Sequence, residues 1–326
     1  MMTVKRQNHI HQWNRLQRLA RFVAEDAHVG SYQSSFRGRG LDFSDVRAYV
    51  PGDDIRYIHW RLTAKHGQPY VKLMREDHGF SLALLCDLGP GMFFSSHNRS
   101  KADVALELCA GLASIALARK DRVSLSASSV DEWVAKGGLS HRSQEFWRTL
   151  DSAQTFLNSR EETFFDQKNS EKRNTPRNKQ ESDSFLVRWA RARASGIPHG
   201  ATLCVVSDFL NFGEQDLKCL SALSVRYRVM CLRVVDPREE HIPEGVRIPL
   251  AAGGDGDREK PVRFYVGSPR AHLDFSQRAE MFDQGLRKVI QGRAHAFYFK
   301  CSTERSLLHQ VRQLLAHYQI WRRIHR

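Results

Sequence analysis

No stretch of this sequence reaches the roughly 18 uninterrupted apolar residues that a spanning helix needs. Its longest apolar runs, Ser81 to Cys86 and Leu203 to Val206, have the length of buried strands. The N-terminus, MMTVKRQNHIHQWNRLQRLARF, is basic but lacks the apolar segment of a secretory signal. These absences predict a soluble protein of the cytoplasm. The six cysteines (Cys86, Cys109, Cys204, Cys219, Cys231, Cys301) are scattered and form no CxxC pair. A zinc ribbon or thioredoxin-like centre therefore has no support, and reduced thiols in the core are expected. GxGxxG, GxxxxGKS/T, HExxH and GxSxG are also missing, which removes the usual anchors of nucleotide, zinc-protease and serine-hydrolase sites.

What the chain does carry is positive charge, formally +14. Residues 1–75 hold 13 Lys and Arg against six Asp and Glu, and the last residues, WRRIHR, add more. The basic character thus sits at the two ends. Such surfaces suit nucleic acid, an anionic membrane or an acidic protein partner, and charge alone does not choose among them.

Helical spacing of Ile10, Trp13, Leu16, Leu19, Ala20 and Val23 predicts an amphipathic helix over 9–27, followed by an irregular stretch over 30–40. Pro51-Gly52-Asp53-Asp54 marks a turn between two extended pieces, and 70–73 alternates as a strand. From Phe80 onward, strands are expected over 81–87, 123–127, 132–135, 203–207 and 229–235. Helices are expected over 101–119, 144–157, 185–194 and 215–225. The helix over 101–119 is apolar on nearly every side, which predicts burial against a sheet. Residues 158–184 are polar and of mixed charge, as in a disordered insertion. The run after Asp236 reads as loop-rich, with strands near 262–266 and 294–299. An amphipathic helix with Leu307, Leu308, Val311, Leu314, Leu315, Tyr318 and Trp321 ends the chain. Strands separated by helices predict an α/β fold, a mainly parallel sheet with helices on both faces. The expected organisation is an N-terminal segment (1–79), an α/β domain (80–301) and a C-terminal helix (302–326).

In open parallel sheets, ligands bind outside the carboxyl ends of the strands, where connections diverge to opposite faces. Two strands here end in an acid: LALLCDLGPG at Asp87, and LCVVSDFL at Asp208 after Ser207. If both strands are central, the two carboxylates meet at that edge and suit a hard cation such as Mg²⁺. Each Asp serves equally as a cap for the loop or helix that follows. Gly89 and Gly91 offer no side-chain oxygen, but suit a tight turn or a close backbone approach. Upstream, Arg47, Tyr49, Pro51, Gly52, Asp53, Asp54, Arg56, His59 and Trp60 form a dense constellation. Asp53 and Asp54 can accept from turn N–H groups or pair with Arg47 and Arg56. On a strand, His59 and Trp60 face opposite sides. The constellation reads either as an internal clamp or as a partner-docking surface. It holds no nucleophile–base–orienter set, so it is not read as catalytic. Gly253 to Asp257 and Arg37 to Gly40 read as loops.

The order strand–Asp87–short loop–apolar helix, with the later Ser207-Asp208, resembles a von Willebrand factor type A fold. In that fold Asp-x-Ser-x-Ser and a later Asp build a metal-ion-dependent adhesion site. The run from Arg47 through Pro51-Gly52-Asp53-Asp54 to His59-Trp60 is similar to the hallmark of domain-of-unknown-function family 58. Those are bacterial proteins that often accompany MoxR-type AAA+ ATPases. With Gly89 and Gly91 at the two Ser positions, the resemblance implies a degenerate metal site at Asp87 and Asp208, with Ser140 as the loop hydroxyl. It also implies a partner-binding edge formed by Asp87, Gly89, Gly91, Ser207 and Asp208. The function implied is a non-catalytic adaptor or co-chaperone working with a MoxR-type ATPase. The basic termini sustain a nucleic-acid-binding alternative, and the two acids alone a metal-dependent hydrolase.

Overall fold

In the computed structural model the described residues are Arg18, 43–74, 80–96, 99–129, 133–166, 184–241, 247–250, 262–265 and 269–324. The helix expected over 9–27 (Arg18 apart), the loops at 30–40 and 251–261, and 167–183 of the expected insertion lie outside them. In chain order the first elements are β1 (Phe43–Ala48), α1 (Trp60–His66), β2 (Tyr70–Met74), β3 (Ser81–Asp87), α2 (Lys101–Ala118), β4 (Arg122–Ser128) and β5 (Trp133–Lys136). Then come α3 (Ser143–Asp166), α4 (Phe185–Arg193), β6 (Thr202–Ser207), α5 (Glu214–Arg226), β7 (Arg228–Val235) and α6 (Pro237–Glu240). The chain continues with β8 (Arg247–Leu250), β9 (Val262–Tyr265), α7 (Pro269–Gly292), β10 (Phe297–Ser302) and α8 (Leu307–Ile324).

A strand that must be buried on both faces reads as a continuous apolar run, and SLALLCD of β3 is one. It lies inside a six-stranded sheet of order β10-β7-β6-β3-β4-β5. Every neighbouring pair is parallel except β4–β5, the antiparallel edge. Alternate residues of each strand feed two cores. Leu82, Leu84 and Cys86 meet α2, α3 and α8 on one face. Ala83 and Leu85 join Leu186 and Trp189 of α4, Leu217 and Leu220 of α5 and Ile290 of α7 on the other.

Helix α2 is buried along nearly its whole length, between the sheet and α8, as its all-round apolarity predicts. Ser100 caps it: the hydroxyl accepts from Asp103 N–H, and Asp103 reaches back to Ser100 N–H. Small residues let α8 come close, and Gly111 faces Leu307 and Val311. All six cysteines are free, and five of them are buried. Among the described residues, no helix is long and apolar enough to cross a membrane.

Three expectations are corrected. The segment after Pro51-Gly52-Asp53-Asp54 is not extended: Ile55–Tyr57 form a 3₁₀ turn, and Trp60 opens α1. Residues 158–166, placed in a disordered insertion, continue α3 as helix. Glu and Arg in mixed-charge stretches are good helix formers, so polarity alone does not end a helix that one apolar face already holds. The loop-rich reading of the chain after Asp236 missed α7, 24 residues long. Its buried stripe is thin, essentially Leu286 and Ile290, so most of its sequence looks like surface.

Candidate functional site

The connection leaving β3 runs to α2 on one face of the sheet, and the connection leaving β6 runs to α5 on the other. β3 and β6 are hydrogen-bonded neighbours. Their carboxyl ends therefore flank the point where the chain diverges, the place where such sheets open a crevice. Asp87 ends β3 and Asp208 follows β6 directly, so the two acids do come to one edge.

Asp87 is half-buried and accepts two hydrogen bonds: Ser207 Oγ donates to Oδ2 at 2.7 Å, and Gly89 N–H donates to Oδ1 at 2.8 Å. Burial pushes its pKa up from 3.8 to about 6; those two bonds and the nearby Lys101 pull against the rise, while Asp208 adds to it. Ser207 also accepts from Phe209 N–H at 3.1 Å and is itself buried, which closes it off as a nucleophile. Phe209 stands at φ +55°. A bulky residue in the left-handed region is uncommon and tends to occur at functional turns.

Asp208 is held from another direction. Lys101 Nζ lies 2.9 Å from its Oδ2 and 2.6 Å from Glu239 Oε1. Oδ1 of Asp208 accepts from Leu210 N–H at 3.1 Å. The loop glycines fit tightly beneath both acids. A Cβ at position 91 would sit 2.7 Å from Asp208 Oδ2, and one at position 89 would sit 3.1 Å from Asp87 Oδ1. Gly91 is thus a close approach between backbone and a carboxylate.

Further along the edge, Asp236 caps α6 by accepting from Arg238 N–H at 3.0 Å. It also accepts from Ser96 N–H at 2.9 Å, Ser96 Oγ at 2.5 Å and Thr303 Oγ1 at 3.2 Å. Burial works to raise its pKa, but these donors outweigh it and leave the carboxyl below its ordinary range. Arg233, buried in β7, pairs with Asp283 of α7 and donates from Nε to the Asp208 carbonyl at 3.3 Å. Arg188 of α4 reaches Ser128 Oγ at 2.8 Å and Ser129 O at 2.7 Å, beside the β4 residue that faces Asp87 in register.

Asp236 and Glu239 belong to a run, Asp236-Pro237-Arg238-Glu239, that resembles the family from sequence, whereas Lys101, Arg233 and Arg188 are not singled out there. Two of them left a signal there. Lys101 opens an apolar helix, where the macrodipole opposes a cation. Arg233 interrupts the apolar run VMCLRVV. A charge lodged inside an otherwise apolar pattern marks a buried partner.

Ser140 is not at the site. It bridges Val123 at the opposite end of β4. The donors present do not fit a divalent cation: Gly89 and Gly91 contribute no side-chain oxygen, and the Lys101 ammonium already occupies Asp208 and Glu239. Among the described residues, no three His, Cys, Asp or Glu side chains are grouped to hold a metal ion.

The Pro-Gly-Asp-Asp unit closes on its own segment, with apolar side chains exposed around it. Asp53 N–H donates to Val50 O at 3.0 Å around Pro51 and Gly52, and Gly52 at φ +111° takes the position that only glycine fills readily. Asp53 accepts from Arg47 at 2.7 Å and from Val50 N–H at 2.9 Å, and these partners hold its carboxyl below the ordinary range. Tyr49 N–H donates to Pro69 O at 2.9 Å, tying the turn to β2. His59 is no strand residue: its Nδ1 accepts from Leu62 N–H at 3.1 Å and caps α1. Trp60 projects outward, 69% exposed, with Val50 and Ile55 also exposed. Asp54 is exposed at the turn, and the side chain of Arg56 lies outside the described residues.

The family described as Protein of unknown function DUF58 matches residues 45–280. The chain belongs to this family. The DUF58 match contains the Pro-Gly-Asp-Asp turn and both strand-end acids, and it stops inside α7, before β10 and α8. Uncharacterized proteins of Mycobacterium bovis and Mycobacterium tuberculosis are 21% identical over 266 residues, spanning 81% of this chain and 75% of theirs. Among solved structures, the conserved hypothetical protein BatB from Bacteroides thetaiotaomicron shares 13% identity at a TM-score of 0.38, over 74% of this chain and 98% of that one. An aerotolerance-related membrane protein from Bacteroides fragilis shares 14% at a TM-score of 0.35, over 73% of this chain and 100% of that one.

Proposed function

We propose that this DUF58 protein is a non-catalytic docking module of von Willebrand factor type A-like architecture, an adaptor for a MoxR-type AAA+ ATPase in the cytoplasm. The observation that carries the reading is the surface of the divergent edge. Phe94, on the loop after β3, is 44% exposed, and Leu210, on the loop after β6, is 49% exposed. Two large apolar side chains thus stand on the two loops that flank Asp87 and Asp208. Interfaces draw most of their energy from a few such anchors surrounded by polar groups. Beneath them the polar atoms of the edge are committed to one another, with Ser207 buried and bonded on both sides. That arrangement suits a rigid docking platform better than a reaction centre. The strand-end Asp, the neighbouring Ser-Asp and the apolar helix after the first loop support the von Willebrand factor type A-like reading.

The test is capture of a MoxR-type ATPase from the same source by the full chain, compared with Phe94→Ala/Leu210→Ala and with Asp87→Ala. Loss of both anchors is expected to weaken capture by roughly tenfold or more while the fold persists. Failure of the unaltered chain to capture the ATPase would sink the partner assignment. Unchanged capture by the double variant would move docking away from this edge.

A further inference from the structure

The lysine that opens α2 stands where a cation is least favoured by the helix itself. Lys101 is the first residue after the Ser100 cap, at the positive end of the helix dipole, and its side chain is 0% exposed. A long ammonium side chain is almost never fully buried unless it is paired. Its partners come from the loops after two adjacent strands: Asp208 after β6 and Glu239 in the first turn after β7.

We propose that the Lys101 ammonium is the resident cation of this edge, taking the role that a divalent ion has in the metal-dependent form of such a site. Two observations of different kinds support it. The first is the ion cluster: one ammonium lies within hydrogen-bond distance of two carboxylates that would otherwise repel each other at a partly buried strand edge. The second is steric. The Asp208 oxygen that Lys101 holds is the oxygen that a Cβ at position 91 would meet at 2.7 Å. A serine at 91 and the Lys101–Asp208 pair therefore compete for the same space. The glycine at 91 and the Lys101–Asp208 pair are one arrangement, in which a fixed internal charge stands where an exchangeable one would. Whatever docks on this edge then does so without Mg²⁺ or Mn²⁺, and chelators leave it unaffected.

The inference rests on the von Willebrand factor type A-like reading of this edge and not on the identity of the partner. It is tested on the full chain by titration with Mn²⁺, followed by electron paramagnetic resonance and calorimetry, for the unaltered protein, Lys101→Ala and Lys101→Ala/Asp208→Asn. The unaltered protein is expected to bind no Mn²⁺ at this edge. Lys101→Ala is expected to take up one Mn²⁺ in the range of roughly 10⁻⁴ to 10⁻³ M, using the freed carboxylates and water. The added Asp208→Asn change is expected to abolish that binding. If Lys101→Ala is unfolded without metal, recovery of the fold on adding Mn²⁺ supports the inference equally, and no recovery overturns it. One Mn²⁺ bound by the unaltered protein and lost in the double variant would also overturn it, as would a folded Lys101→Ala that stays silent.

Discussion

The hydroxyl of Ser207 donates to Oδ2 of Asp87 at 2.7 Å, joining the ends of two neighbouring parallel strands whose connections leave on opposite faces of the sheet. Ser207 Oγ also accepts from Phe209 N–H, so one buried hydroxyl ties the carboxylate to a turn in the left-handed region. The edge combines a partly desolvated acid with a strained backbone. Both cost stability, and folds keep such features where function requires them.

Asp87 makes that cost measurable. Its pKa rises from 3.8 to about 6 on folding, chiefly through burial. The folded chain therefore binds this proton more tightly than the unfolded chain does. Stability from this group is fully present below the unfolded pKa and is lost as pH rises through about 6. Asp87→Asn removes the dependence. Relative to the unaltered chain, the variant should gain on the order of 2–3 kcal/mol between acid and neutral pH, less whatever the lost second acceptor takes back. Urea denaturation of both proteins across that range reads the difference. A constant difference at all pH values would show that Asp87 is ionised as freely in the fold as outside it.

Arg233 and Asp283 form a buried ion pair that helps fasten α7 to the sheet. The arginine side chain is buried in β7, Asp283 also accepts from Tyr298 Oη at 2.6 Å, and the Phe282 ring lies 5.0 Å from the guanidinium. Removing one partner of a buried pair leaves an uncompensated charge, so Asp283→Ala should cost about 3–5 kcal/mol. Replacing both, as Arg233→Met/Asp283→Ala, should cost clearly less than the sum of the single changes. Equilibrium unfolding of the four proteins gives the coupling, and additive losses would mean that the pair is not a unit.

Gly91 should tolerate substitution worse than Gly89. An added methyl meets Asp208 Oδ2 at 2.7 Å in the first case and Asp87 Oδ1 at 3.1 Å in the second. Gly91→Ala is expected to lose about 1–3 kcal/mol, since the carboxylate can yield only by leaving Lys101. In an Asp208→Ala background that loss should largely vanish. An undiminished loss there would place the strain in the backbone rather than against the carboxylate.

The central sheet was legible because SLALLCD and LCVVS are apolar runs of strand length and KADVALELCAGLASIALA is apolar on all sides; burial on both faces leaves no other pattern. The meeting of Asp87 and Asp208 followed from the position of each acid at a strand end. The partners of those acids were hidden. Lys101 and Glu239 are 138 residues apart and meet only after folding, so neither points to the other in the sequence. His59 and Trp60 were misplaced on a strand because the preceding turn signals fix a change of direction but not the structure that follows. Helix α7 was missed because a surface helix with two buried positions resembles a polar loop. Side chains that act through long-range charge pairs leave the weakest local trace.

Asp236 should behave in the opposite sense to Asp87, although both lie at the carboxyl end of the sheet. Four donors from three segments (Ser96 N–H and Oγ, Thr303 Oγ1 and Arg238 N–H) converge on its carboxylate and hold its pKa below 3.8. A depressed carboxyl stabilises the fold above its unfolded pKa, and that contribution disappears as the pH falls through the folded value. Asp236→Ala removes the cap of α6 and leaves the Ser96 and Thr303 donors without this acceptor. The expected cost at neutral pH is about 2–4 kcal/mol, combining a lost cap with the loss of a charged acceptor for several donors. The cost should shrink in acid, where the unaltered chain has also lost the charge. Denaturation midpoints of Asp236→Ala and Asp87→Asn measured in the same buffers should therefore diverge from the unaltered chain in opposite directions as pH rises. If they moved together, the donors around Asp236 would not be stabilising its ionised form, and the tie between the β3 loop and α6 would have to be steric rather than electrostatic.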